Sequence, residues 1–178
     1  MSYPEIRRLH ADEIDARAAQ VTEKGAVLLL YKDARVDMRI LDETFGPMNW
    51  QKSYREIAGN LYCTISVWDA EKKQWIAKED VGVESFSEAE KGQASDAQKR
   101  SGFAWGIGRE LYTAPFIWVK AEDIKASGGD IAKNSKGKWM LKGVQPRVDT
   151  ISYDAKGNII ALTISNKGKN IYTKVGGK

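Results

Sequence analysis

Between Leu61 and Trp68 apolar and polar side chains alternate without a break. Leu61, Cys63, Ile65 and Val67 share one face, and Tyr62, Thr64, Ser66 and Trp68 share the other. A period of two predicts a strand, with the first set toward a core. Asn49 to Ile57 and Gln74 to Val83 flank it through Ala58-Gly59-Asn60 and the polar turn Asp69 to Lys73, which predicts a three-stranded meander. The period then lengthens. Gln93 to Ala104 reads as the centre of a helix running from about Lys91 to Trp105, with Ala94, Ala97 and Ala104 forming a narrow small-residue stripe. Asp96 stands three and four positions before Lys99 and Arg100, the spacing of same-face ion pairs. Gly102, Gly106 and Gly108 end the pattern ahead of Arg109 and Tyr112. Three antiparallel strands followed by one long helix predict an α+β fold.

The flanking segments extend this picture. Asp12 to Val21 reads as a helix capped by Asp12, carrying a Glu13–Arg17 pair and ended by Lys24-Gly25. Ala26 to Tyr31 is a buried strand by composition. Ala34 to Phe45 is a helix with Val36, Ile40, Leu41 and Phe45 inward, stopped by Gly46-Pro47. Pro115 to Lys120 is a short apolar strand. Ala121 to Trp139, rich in Gly, Lys, Asp and Asn, is expected to be a mobile loop. Val148 to Tyr153, Asn158 to Ser165 and Ile171 to Val175 read as strands joined by DAKGN and NKGKN turns, and the tail Gly176 to Lys178 is expected to fray. With no repeat and no linker, the expectation is a single domain over 1–178: a core of about 26–119 and a basic, strand-rich extension over 120–178.

Composition narrows the function classes. The 178 residues are 42% hydrophobic and 29% charged, ordinary for a globular protein. One cysteine, Cys63, excludes an internal disulfide, and with one histidine, His10, it cannot form a usual structural zinc site. The longest apolar run, Ala26 to Tyr31, is too short for a bilayer, and the N-terminus is polar. The reading is a cytoplasmic protein with no membrane partner. No phosphate loop occurs, and Gly106-Ile107-Gly108 lacks the third glycine of a dinucleotide fingerprint. No metal and no cofactor are expected, and the chain is read as a non-enzyme. Glu79, Asp80, Glu84 and Glu88 with Lys78 or Lys91 leave a metal-dependent nuclease as an alternative, although a solvated strand end explains them as well.

Charge is uneven. Net charge is +4, but from Ala114 onward there are 12 Lys/Arg against 5 Asp/Glu, whereas the first 113 residues hold 16 against 19. A polyanionic partner or simple solubility accounts for the basic third. Lys99-Arg100 lie together, Arg109 follows, and Lys32 and Arg35 bracket the end of the first strand. Tyr54, Tyr62 and Trp68 place rings near sheet faces. Cations with flat rings are what single-stranded nucleic acid needs, and core or subunit packing is the alternative for the rings.

Three ordered segments go beyond composition: LDETFGPMNW (Leu41 to Trp50), KEDVGVES (Lys78 to Ser85) and KGQASDAQKRSGFAWGIGRELY (Lys91 to Tyr112). In order and spacing they resemble the single-strand DNA annealing proteins of the Rad-fifty-two superfamily, closest to the short bacteriophage and prophage members. The likeness covers roughly Leu28 to Val119. It implies a curved antiparallel β-β-β-α core with N-terminal helices, here followed by a C-terminal β-rich extension. It implies side-by-side assembly into a homo-oligomeric ring or helical filament, and ATP-independent annealing of complementary strands in recombination and repair. A phage origin would place the protein in a bacterial host's cytoplasm. The partners implied are single-stranded DNA and its duplex product. Lys99 and Arg100 match the family's backbone-contacting pair and Lys91 a further lysine. Lys32 or Arg35 matches the early basic position, and Arg109 is carried from its motif. Tyr54 joins this set as a candidate base contact from the residues themselves. A non-annealing single-strand-binding or replication accessory protein is the alternative. The extension after Ala121 lies outside the likeness, and its role stays open between groove, duplex contact and subunit contact.

Overall fold

The computed structural model describes residues 4–83 and 89–176, with side chains in the second helix described from Gly92 onward. The chain is α+β and divides into two compact units built from interleaved segments: residues 1–8 with 33–109, and residues 9–32 with 110–178.

The first unit holds α1 (Ala34–Phe45), then β3 (Trp50–Ile57), β4 (Asn60–Asp69), β5 (Gln74–Val81) and α2 (Ala89–Trp105). The meander and both helices stand where the periodicities put them. Strand order is β3-β4-β5, all antiparallel, with Tyr54 opposite Cys63 and Cys63 opposite Asp80. Asp33 caps α1 by accepting the Arg35 N–H at 2.7 Å. Of the expected core face Cys63, Ile65 and Val67 are buried and Leu61 is half-buried; Val36, Ile40 and Leu41 from α1 and Ala97 from α2 join them, while Phe45 is half-buried. A Cβ on Gly82 would collide with the Gln93 carbonyl and the Ala97 backbone, so α2 seats at backbone distance on the chain after β5, and one on Gly102 would meet the Asp37 side chain of α1.

The second unit holds a 3₁₀ turn (Ala11–Glu13), β1 (Asp15–Thr22), β2 (Gly25–Tyr31), β6 (Ile117–Lys120), α3 (Ala121–Ala126), β7 (Asp130–Lys133), β8 (Trp139–Lys142), β9 (Pro146–Tyr153), β10 (Ile159–Asn166) and β11 (Lys169–Lys174). Six strands form one antiparallel sheet in the order β11-β10-β9-β1-β2-β6, and β7 pairs with β8. The Tyr172 hydroxyl on β11 donates to the Phe116 carbonyl beside β6 at 3.4 Å, so the sheet curls until its edge strands approach. Leu28, Ile117, Val119, Val148, Leu162 and Ile164 fill its interior. Thus β2 and β6, expected within the 26–119 core, share a sheet with the C-terminal strands.

Two element expectations are corrected. Asp12 to Val21 is a 3₁₀ turn and a strand, because Thr22 to Gly25 is the turn of a β1–β2 hairpin and not a helix end. Glu13 does not pair with Arg17; it accepts the His10 N–H at 2.9 Å, while the Arg17 guanidinium lies 5.4 Å from the Tyr31 ring centre. Ala121 to Trp139 is not a structureless loop. It contains α3, β7 and the start of β8, because Ile124 is a fully buried anchor and the intervening turn closes on Asn134.

Candidate nucleic-acid interface

In the first unit α2 lies across the inner face of the β3-β4-β5 sheet, and Gln98 is its anchor. Gln98 is buried, and its position between Ala97 and Lys99 turns it toward β3. Its Oε1 accepts from Lys52 Nζ at 2.7 Å and from the Tyr54 hydroxyl at 3.2 Å, and its Nε2 donates to the Ala34 carbonyl at 2.8 Å. One side chain therefore ties the α2 residue before Lys99 to β3 and to the start of α1, where Arg35 follows Ala34. The Lys52 ammonium lies 5.8 Å from the Tyr54 ring centre. Tyr54 is 40% exposed, so its ring has an open face. Burial of its other parts, and the Cys63 thiol opposite, push the Tyr54 phenol up to about 12. Burial likewise raises the Cys63 thiol.

Lys52 and Tyr54 thus gather around Gln98, and of the sequence candidates Lys99 follows Gln98 in the chain and Arg35 follows Ala34. The Lys99 side chain has no ion pair or hydrogen bond with another described residue. The Arg35 side chain is 85% exposed, with only a long 3.9 Å approach to Asp33. Lys52 was missed in the sequence, although its position two before Tyr54 on one strand puts both on one face.

The remaining candidates stand elsewhere. Arg100 turns toward β5 and approaches the Asp80 carboxylate at 3.3 Å. Asp96, expected to pair with Lys99 or Arg100, instead accepts the Val83 N–H at 3.0 Å. Arg109 closes the end of α2, donating to the Phe103 and Ala104 carbonyls at 2.9 Å each while lying over the Phe103 ring. Lys32 belongs to the other unit and is only 5% exposed. The Lys91 side chain falls outside the described residues.

The three motif segments meet inside this unit. Phe45 and Trp105 pack edge to face with centroids 5.9 Å apart, and the Trp50 indole donates to Asp42 at 2.7 Å. Lys78 donates to the Ala104 carbonyl at 3.0 Å with its ammonium 4.5 Å from the Trp105 ring centre, and Ser101 donates to the Lys78 carbonyl. Beside them lies a cavity of about 550 Å³ lined chiefly by Phe45, Val67, Trp68, Ile76 and Trp105.

On the outer face of the same sheet, Arg55 makes a bidentate pair with Glu79 at 2.7 and 2.6 Å, and Thr64 donates to Glu79 at 2.7 Å. These bonds hold the Glu79 carboxyl below its ordinary range. Trp68 and Trp75 pack edge to face there, half exposed. Glu79 and Asp80 therefore point to opposite faces of β5. Glu84 and Glu88 fall outside the described residues, and no group of three His, Cys, Asp or Glu converges to hold a metal among those described. Among the described residues no helix is long and apolar enough to cross a membrane.

Comparison with protein-family models, with curated proteins and with solved structures finds no match.

Proposed function

We propose that the chain binds single-stranded DNA and anneals complementary strands without ATP, as an oligomer whose subunits line up their first units into one continuous groove. The observation that carries this reading is the Gln98 cluster. A buried amide orients a lysine and a tyrosine beside an exposed arginine, Arg35, and a half-buried lysine, Lys99, which is the pairing of phosphate contact and stacking surface that unstacked strands need. Lys99, Lys52 and Arg35 neutralise phosphates, Arg100 joins them from the β5 side, and the open face of Tyr54 meets a base. Arg35 fills the early basic position in preference to Lys32, because a buried ammonium does not reach a phosphate. One subunit offers few contacts, so affinity comes from repetition around the assembly. The order of the three motifs that resemble the Rad-fifty-two superfamily, and their packing around Trp105, support the same reading.

Binding of this kind holds backbones and leaves sequence readout to base pairing, so it is nearly independent of sequence. The test is the pairing rate of two complementary labelled oligonucleotides without ATP, with particle size followed by light scattering in the same buffer. Acceleration by a large oligomer is expected. Binding by a monomer or dimer that leaves pairing unchanged, or slows it, would make the chain a strand-coating protein instead.

A further inference from the structure

The second unit carries a cationic surface that the Gln98 cluster does not use. From residue 131 to residue 148 there are five Lys/Arg and no Asp or Glu. This run includes most of the β7–β8 hairpin, in which Lys133 stands opposite Trp139 and Asp130 opposite Lys142. Lys133, Lys136, Lys138 and Lys142 are all exposed. The tip is built and not loose. Asn134 Oδ1 accepts the N–H groups of Lys136 and Lys138 at 2.9 and 3.0 Å, and Gly137 supplies the left-handed residue that closes the turn at φ 75°.

A second basic turn is fastened to the base of this hairpin. Asn166, fully buried, donates to Ser127 Oγ at 3.0 Å and accepts the Gln145 N–H at 2.9 Å. Lys167 and Lys169 follow it, reaching the Gly128 and Ala126 carbonyls at 3.2 and 3.1 Å while staying exposed. Six lysines thus stand on two hairpins, β7–β8 and β10–β11, joined through one buried amide.

We propose that the β7–β8 hairpin is a separate contact for duplex DNA, gripping its sugar–phosphate backbone with Lys133, Lys136 and Lys138. The charge calls for a polyanion. The ring chemistry selects the duplex. The one ring of the hairpin, Trp139, is half-buried with the Lys133 ammonium 4.9 Å from its centre, so it offers no open platform for unstacked bases. What remains is backbone charge, which is densest on a duplex, at one negative charge per roughly 1.7 Å of axis. An annealing protein that also holds the product would keep paired strands in place, but the hairpin contact shares with the proposed function only the premise that the partner is DNA.

The experiment compares the full chain with a Lys133→Ala, Lys136→Ala, Lys138→Ala variant. Fluorescence anisotropy reads binding to a duplex and to a single-stranded oligonucleotide over a range of potassium chloride. The expected result is a duplex affinity at least about tenfold weaker and a log–log salt slope shallower by about 3, at roughly 0.9 per phosphate contact, with single-strand binding unchanged. A triple Lys→Arg variant should keep the duplex affinity, and matched melting temperatures establish that the alanine variant folds. Failure of the wild type to bind duplex, an unchanged slope in the variant, or equal losses on both substrates would overturn the proposal. Duplex binding that depends on the hairpin in a protein that does not anneal would sink the proposed function and leave this inference standing.

Discussion

The Arg100 guanidinium on α2 lies 3.3 Å from the Asp80 carboxylate on β5, while its neighbour Lys99 is unpaired among the described residues. Two adjacent cations on one helix are therefore in different states: Arg100 has a carboxylate partner, and the Lys99 side chain has none among the described residues.

Asp80→Asn should release Arg100. An exposed pair of this kind contributes about 0.2–1 kcal/mol, so single-strand affinity should rise by a factor of up to about 5. Lys99→Ala with Arg100→Ala should shrink the salt slope by about 1.4, at roughly 0.7 per phosphate on a single strand. Titrations at four salt concentrations measure both, and unchanged slopes in the double variant would remove these residues from the interface.

Gln98→Leu should destabilise the first unit by about 1–3 kcal/mol, since it leaves Lys52, Tyr54 and the Ala34 carbonyl without their shared partner. Urea melts followed by tryptophan emission would register the change. Gln98→Glu keeps an acceptor for Lys52 and should lose less.

Tyr54 should be the tyrosine whose ionisation lies near pH 12, above the ordinary value of 10.0. Its folded-state value is raised, so its contribution to stability is fully present below pH 10 and is lost as pH rises toward 12. An ultraviolet titration of Tyr54→Phe should lack the step near 12, and the variant should show a weaker alkaline loss of stability between those limits. A step lost at the ordinary value in Tyr54→Phe, with any step near 12 unchanged, would contradict the packing described for the ring.

Ala58 and Gly59 form the two-residue β3–β4 turn with φ of 51° and 77°, the mirror-image hairpin turn that favours Asn-Gly. A left-handed alanine costs roughly 1–2 kcal/mol, so Ala58→Asn should stabilise the first unit by up to about 1 kcal/mol, visible as a higher melting temperature.

Gly82→Ala should displace α2 from β5, because its methyl group would occupy the place of the Gln93 carbonyl. Overpacking of this kind costs about 1–3 kcal/mol. If the proposed interface is right, single-strand binding should weaken together with stability, since Gln98 and Lys99 ride on the same helix. Full binding by a folded Gly82→Ala protein would separate the helix seat from the interface.

Local pattern was enough for the first unit. The alternation of Leu61 to Trp68, the Gly46-Pro47 stop and the alanine stripe of α2 are each patterns written within one element, so α1, β3, β4, β5 and α2 were legible with bounds close to those observed. The same holds for the C-terminal hairpins, whose turns carry their own chemistry at Asp154 and at Lys167-Gly168. The candidate cations were legible as residues, but not their partners.

What only the tertiary structure decided depends on groups far apart in the chain. Asp12 to Val21 has helix-forming composition, yet pairing with β2 overrides that weak preference. Ala121 to Trp139 reads as polar loop, yet Ile124 and Asn166 anchor it from residues about forty positions apart. Gln98 reads as an ordinary helix residue, and its role exists only because β3 and α1 bring Lys52, Tyr54 and the Ala34 carbonyl to one amide. The division of the chain into two interleaved units follows from strand pairing between β2 and β6 across some ninety residues, a contact that no local period records. Periodicity encodes which face a residue shows, and long-range packing decides what that face meets.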